Sequence, residues 1–238
     1  LSSFVQRTYD QISQDIALNN SPVTVVVYCG GMSGIDMTHL GTFDISMISN
    51  IPNVVYLAPT NKEEYLSMLD WSIEQVEHPV FIRVPLGEPG VTGKKDKTNY
   101  SNLNKYQVVE KGSEIAIVAL GTFFQLGEKV VSRLKQAGFN PTLINPKYIT
   151  GLDEDLLEGL KDNHNLVITL EDGILDGGFG QKIASFYGDS DMKVLNYGGK
   201  KEFTDRTKVT DLYERYHLTP ELIFEDVMKQ QSGKLLYA

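Results

Sequence analysis

Apolar positions along the chain follow two recurring patterns. Short runs of apolar, largely β-branched residues alternate with stretches in which apolar residues return every three or four positions, the signatures of buried strands and of helices packed on one side. Phe4, Val5, Ile12, Ile16 and Ala17 lie at helical spacing over residues 3–18, with Ser2 or Ser3 as the candidate cap; Asn19-Asn20-Ser21-Pro22 breaks that helix. Residues 23–28 form a continuous apolar run, predicting a strand covered on both faces. A short helix is predicted from Phe43 to Ile48 and a strand over 54–58. Thr60 reads as the cap of the next helix with Glu63 as its capping-box partner, and this helix turns Tyr65, Leu66, Met68, Leu69, Trp71 and Ile73 toward a core. A third strand over 80–84 is stopped by Pro85.

Between Gly87 and Asn104 the chain turns polar and rich in Gly, Pro, Lys and Asn, which reads as a linker. Alternation then resumes, with strands over 106–109, 115–120, 141–144, 166–170 and 194–197. Helices are predicted over 124–137, closed by Gly138, over 153–161, over 181–186 and over 220–230, capped by Thr219. A glycine-rich crossover, Glu171-Asp172-Gly173 to Gly177-Gly178-Phe179-Gly180, separates the 166–170 strand from the helix that follows. Strands alternating with helices across short loops define an α/β class with mainly parallel sheets. Two consecutive α/β domains are expected, at residues 1–90 and 106–238, joined by a linker at 91–105.

Composition narrows the function without naming it. The 238 residues, 41% hydrophobic and 22% charged, suffice for one large core or two smaller ones. Lys plus Arg number 22 against 31 for Asp plus Glu, a net charge of −9 with no dense basic run, which argues against a nucleic-acid partner. An anionic substrate would need a pocket of placed arginines, backbone amides or a metal. One cysteine excludes an intrachain disulfide and a cysteine-rich zinc site, in keeping with the cytoplasm. No basic leader precedes an apolar core, and no apolar run approaches the roughly 18 residues of a membrane span. A first residue of Leu is what a processed or truncated chain would show.

In parallel sheets ligands bind beyond the carboxyl ends of the strands. Two loops occupy such ends here, Cys29-Gly30-Gly31-Met32-Ser33-Gly34 leading to His39, and Pro85-Leu86-Gly87-Glu88. His39 is therefore either a catalyst or an ordinary loop residue; its near-neutral pKa permits the first without establishing it. Cys29 reads as a packing residue, since no local feature lowers its pKa. The glycines at 177–180 lack both the dinucleotide and the P-loop spacing and read as tight packing. His78, His164 and His217 are isolated in sequence and read as surface or structural.

Several segments resemble a known family. Ser2-Ser3-Phe4-Val5-Gln6-Arg7-Thr8-Tyr9-Asp10-Gln11, Asp36-Met37-Thr38-His39-Leu40-Gly41-Thr42-Phe43-Asp44, Ile51-Pro52-Asn53-Val54, Ile82-Arg83-Val84-Pro85 and Glu171-Asp172-Gly173 with Gly177-Gly178 resemble, in order, stretches of the 1-deoxy-D-xylulose-5-phosphate synthase family. These are thiamine diphosphate transferases related to transketolase. The resemblance implies a transketolase-like fold, with the later part of a pyrimidine-binding domain followed by a transketolase C-terminal domain. It implies that pyruvate and glyceraldehyde 3-phosphate become 1-deoxy-D-xylulose 5-phosphate and CO2, a step toward isoprenoids and thiamine, in a cytoplasmic homodimer. By motif, Phe4 and Arg7 would bind the cofactor, His39 would bind substrate and handle protons, and Asp36 would be its acidic neighbour. The Gly-Asp-Gly and Asn elements that hold Mg²⁺ and diphosphate, and the activating glutamate, are expected upstream. No Gly-Asp-Gly triplet occurs in this chain, which alone is expected to be inactive.

This sequence also departs from the family pattern. Leu1 stands where a tyrosine is expected, the loop before His39 is one residue shorter, and two phosphate-gripping arginines are replaced, one near Cys29 and one by Leu86. Arg83 remains as a substrate-binding candidate or a structural ion pair. A paralogue with another acceptor, and a non-catalytic half-subunit completed by a partner chain, are the alternative readings.

Overall fold

The computed structural model describes residues 1–87 and 89–235; Glu88 and residues 236–238, which fall within the sequence-based loop at 85–88 and the expected domain at 106–238, lie outside them. Two sheets carry the fold. The first has strands β1 (Thr24–Tyr28), β2 (Val55–Leu57) and β3 (Val80–Val84) in the order β1-β3-β2, all parallel. The second has β4 (Gln107–Glu110), β5 (Glu114–Ala119), β6 (Thr142–Asn145), β7 (His164–Ile174) and β8 (Lys193–Gly199) in the order β4-β6-β5-β7-β8, with only the edge strand β4 antiparallel. The α/β architecture with mainly parallel pairing is thus the observed one.

The β-branched runs fill the sheet centres, as a strand with helices on both faces requires. Residues Val80 to Val84 of β3 and Ile115 to Ala119 of β5 are all buried. Tyr56 and Phe81 share one contiguous core with Val118 and Ile144 of the other sheet and with Phe179 of the Phe179–Phe186 helix, so the sheets close a common interior. The backbone stitches them further: Ala58 N donates to the Lys147 carbonyl at 2.8 Å and Ile149 N to the Tyr56 carbonyl at 2.7 Å. Residues 96–100 of the polar linker are pinned against this seam. Buried Lys147 reaches Glu64 at 2.9 Å and Thr98 Oγ1 at 2.7 Å, while the Tyr100 hydroxyl donates to Asp96 at 2.5 Å.

Several local expectations are corrected. The N-terminal helix is not regular: it runs through Ser2–Val5, a tight turn at Gln6–Thr8, Tyr9–Gln11 and wide turns at Ile12–Ala17, and Leu1 rather than a serine occupies its cap position. The Lys62–Glu74 helix is capped one residue later than predicted, by Asn61, whose side chain accepts from Glu64 N at 2.9 Å. Thr60 instead donates its hydroxyl to Glu64, and Glu63 accepts from the Thr92 and Gly93 amides. Leu66 and Ile73 face outward from that helix. Residues 171–174, expected in a loop, continue β7, because Ile174 still pairs with Gly199 after a register shift. The Val209–Arg215 helix was not foreseen.

The largest correction concerns β1. Among the described residues it pairs with β3 alone, and Val26 and Tyr28 are exposed rather than covered. Leu1, Phe4, Tyr9 and Leu18 are exposed as well. An open, apolar sheet edge of this kind is a template for another chain segment. No helix among the described residues is long and apolar enough to cross a membrane.

Candidate active site

The loop after β1 is drawn back upon itself. Gly31 N donates to the Gly41 carbonyl at 2.6 Å, forming an antiparallel bridge that closes residues 31–41 into a lobe. This closure needs a bare backbone, since a Cβ on Gly41 would overlap the Cys29 carbonyl oxygen. Gly41→Ala is accordingly expected to destabilise the fold by roughly 1–3 kcal/mol, read from urea unfolding; a change within the scatter of surface substitutions would contradict the closure.

His39 sits at the end of a turn, Met37–His39, that Asp36 caps by accepting from Thr38 N at 2.9 Å. The turn packs on the N-terminal helix. The Phe4 and His39 rings are 5.5 Å apart and tilted by 57°, and the Arg7 guanidinium lies 5.6 Å above the Phe4 ring. Three of the residues singled out from sequence therefore meet at one surface, with Phe4 45% exposed. A phenyl ring left open beside an imidazole is unusual for packing alone and suits a flat ligand ring.

Asp36 reaches His39 through Thr38. The Thr38 hydroxyl donates to Asp36 Oδ1 at 2.7 Å and lies 2.8 Å from His39 Nδ1. These hydrogen bonds from the Thr38 hydroxyl and amide, more than the nearby Arg206, lower the Asp36 pKa and favour its carboxylate. The loop between β8 and the Val209–Arg215 helix grips the same turn from the other sheet. Arg206 N donates to the Ile35 carbonyl at 3.0 Å, Arg206 Nη2 to Asp36 Oδ2 at 2.5 Å, and Met37 N to Asp205 Oδ1 at 3.3 Å. Phe203 packs edge-on against Phe43. Sequence reading missed this loop, because its partners lie about 170 residues away and its composition is that of an ordinary polar connection.

Arg83, expected against substrate, is enclosed: it is 5% exposed and donates through Nε to Asp44 at 2.7 Å, through Nη2 to the Gly41 carbonyl at 3.1 Å, and through Nη1 to Asp172. Asp44 also accepts from the Tyr56 hydroxyl at 2.5 Å, and Asp172 from Thr122 at 2.9 Å. Burial opposes the Arg83 charge, yet the Asp172 and Asp44 carboxylates hold its pKa well above the ordinary value. Gly30 and Gly31 serve this pair, since a Cβ on either would strike Arg83 or Asp172. These glycines thus make room for the protein's own ion pair.

Beside the pair a cavity of about 380 Å³ opens between the sheets, lined in part by Gly30, Ser33, Leu86, Thr122, Asp172 and Tyr213. None of its described lining residues is a lysine or arginine. Cys29 is buried, and burial raises its thiol pKa.

The second glycine cluster packs against protein. Buried Glu171 accepts from Phe179 N at 2.9 Å and Gly180 N at 2.8 Å, filling the start of the Phe179–Phe186 helix with the chain's own carboxylate. Burial nevertheless pushes its pKa up from 4.5 to about 7. A carboxyl whose pKa is higher folded than unfolded stabilises the fold fully below the unfolded value and loses that contribution as pH rises through the folded one. Stability is therefore expected to fall by up to about 3 kcal/mol between pH 4.5 and 7 relative to Glu171→Gln; parallel urea-unfolding profiles for the two proteins would contradict this. His164 is held by Thr142 at 2.8 Å and His217 lies 3.2 Å from Asp226. No group of three or more His, Cys, Asp and Glu side chains suited to a metal ion is found among the described residues.

Comparison with known proteins fits this geometry. Residues 1–89 match the transketolase pyrimidine-binding domain and residues 104–223 the transketolase C-terminal domain. The chain belongs to the transketolase family. Within it, the sequence corresponds to the C-terminal portion of 1-deoxy-D-xylulose-5-phosphate synthases: it is 37% identical over 231 residues to that of Clostridium tetani and 36% identical over 238 residues to that of Shouchella clausii. These alignments cover 96% and 98% of the chain but 37% and 38% of the relatives, so the chain spans little more than a third of their length. Among solved structures, a split-gene transketolase described as an inactive β4 tetramer superimposes with a TM-score of 0.82 at 22% identity, covering 96% of this chain and 73% of that one. The R525L transketolase of Pichia stipitis gives a TM-score of 0.75 at 16% identity, covering 96% and 33%. At these identities the structures establish the shared fold.

Proposed function

We propose that the chain is the C-terminal portion of a thiamine diphosphate-dependent transferase that makes 1-deoxy-D-xylulose 5-phosphate and CO2 from pyruvate and glyceraldehyde 3-phosphate. The observation that carries this reading is the meeting of Phe4 and His39 at an uncovered apolar face. The residues present fit half of such a site. Phe4, open on one side with Arg7 beside it, would stack on the aminopyrimidine ring. Thiamine diphosphate, when bound, supplies the electron sink for carbonyl chemistry. His39 binds the acceptor and transfers a proton to or from its oxygen, and Asp36 orients the imidazole through Thr38. Arg83 holds the two sheets in register rather than touching substrate. By the family resemblance, the Mg²⁺ ligands belong to the upstream domain.

On this reading residues 1–90 complete a pyrimidine-binding domain begun upstream, 91–105 link it to the C-terminal domain at 106–238, and the open β1 edge accepts the upstream strands. The active form is a cytoplasmic homodimer, and the 238-residue chain alone is inactive. The test is synthesis from the two substrates by the protein joined to its upstream segment. Product that requires thiamine diphosphate supports the assignment, and none at saturating cofactor removes it.

One observation favours a second acceptor class. The cavity beside Arg83 presents the Asp172 carboxylate and Leu86 but no described cation, a poor setting for a phosphate. Leu86→Arg in the complete protein is expected to raise kcat/KM for a phosphorylated over an unphosphorylated aldehyde by roughly 10-fold. An unchanged ratio would place the phosphate elsewhere.

A further inference from the structure

The Arg206–Asp36–Thr38–His39 chain fixes more than the position of a loop. Asp36 and Thr38 together decide which imidazole nitrogen carries the proton. An ionised carboxylate only accepts, so the short contact to Asp36 Oδ1 is donated by the Thr38 hydroxyl. That hydroxyl has a single proton, already committed. Its 2.8 Å contact with His39 Nδ1 must then be donated by the ring. In a neutral His39 the proton is on Nδ1, and Nε2 is the bare, basic atom.

The carboxylate end of the relay is held from the other sheet. Asp36 Oδ2 takes the Arg206 guanidinium, while the Arg206 amide and the Asp205 carboxylate bind the Ile35 carbonyl and the Met37 amide. Arg206 adopts a left-handed backbone, φ 46°, a conformation a non-glycine residue keeps only where its surroundings impose it. Its side chain is 70% exposed, so the ion pair adds little to global stability. Its consequence is orientation.

We propose that Arg206 is a positioning residue that, through Asp36 and Thr38, sets His39 in the Nδ1–H tautomer and leaves Nε2 to exchange protons with the substrate. The choice of Nε2 as the working atom rests on the thiamine-dependent reading above; the tautomer itself does not. The Val209–Arg215 side of the molecule thereby governs a group on the β1 side.

The test uses the protein joined to its upstream segment, ¹⁵N-labelled at histidine, and long-range ¹H–¹⁵N correlations at a pH where the imidazole is neutral, with His39→Gln assigning the signals. Wild type is expected to show a protonated Nδ1 and a bare Nε2. Thr38→Val should move the proton predominantly to Nε2, the nitrogen preferred by free histidine, and Thr38→Ser should keep the wild-type pattern. Arg206→Ala, or Arg206→Gln where alanine lowers the melting temperature, should give a mixture of the two tautomers. A wild-type His39 protonated on Nε2, a wild-type pattern in Thr38→Val, or spectra of both Arg206 variants identical to wild type would each overturn the proposal. Nδ1–H together with absent thiamine-dependent turnover in the complete protein would overturn the functional reading while leaving the relay standing.

Discussion

Replacing His39 by alanine in the complete protein lowers kcat by roughly 10²-fold or more. The expectation follows from what the side chain touches. The imidazole contacts the Thr38 hydroxyl and the Phe4 ring at a partly exposed surface, so its removal leaves no buried cavity and no unpaired buried charge. Stability should therefore stay within about 0.5 kcal/mol of wild type, as for substitutions outside the core. A loss of rate without a loss of stability separates proton handling from packing. Steady-state kinetics beside thermal melts make the measurement, and an unchanged kcat refutes the role of His39.

Arg83→Met is expected to do the opposite, costing about 3–5 kcal/mol of folding stability. Methionine keeps much of the stem that lies along Gly30 but removes the guanidinium. Asp44 and Asp172 would then confront each other in the interior, joined only by neutral donors from Tyr56 and Thr122. An unpaired buried carboxylate is far more costly than the pair is favourable. Because Asp44 comes from the 31–48 region and Asp172 from β7, the seam between the sheets should loosen first. Urea unfolding measures the loss, and a decrease below about 1 kcal/mol would show that the network is not what joins the halves.

How much of this was legible from sequence depends on the range of each interaction. Strands such as Val80 to Val84 and Ile115 to Ala119 announce themselves, because burial on both faces forces an unbroken apolar run. The Val23 to Tyr28 run carries the same signal and misled: its exposed side is apolar as though covered, and only pairing reveals β1 as an edge. The capping of the Lys62–Glu74 helix was misplaced by one position because Thr60 and Asn61 are both good caps, and Thr60 is diverted to Glu64. Phe4, Arg7, Asp36 and His39 were each identifiable from motif, and the structure brings them to one surface. Arg206 was not, since nothing local distinguishes an arginine that pairs across the fold from one that faces solvent. The enclosure of Arg83 depended likewise on Asp44 and Asp172, which lie 39 and 89 residues away along the chain.

On the proposed function, this chain carries one half of a thiamine diphosphate site, and upstream polypeptide supplies the other. Calorimetric titration with thiamine diphosphate and Mg²⁺ tests it most directly, comparing the 238-residue chain with the protein joined to its upstream segment. No saturable binding is expected to the chain alone, and saturable, Mg²⁺-dependent binding once the upstream segment is present. Equal binding to both, or none to the complete protein, would contradict it.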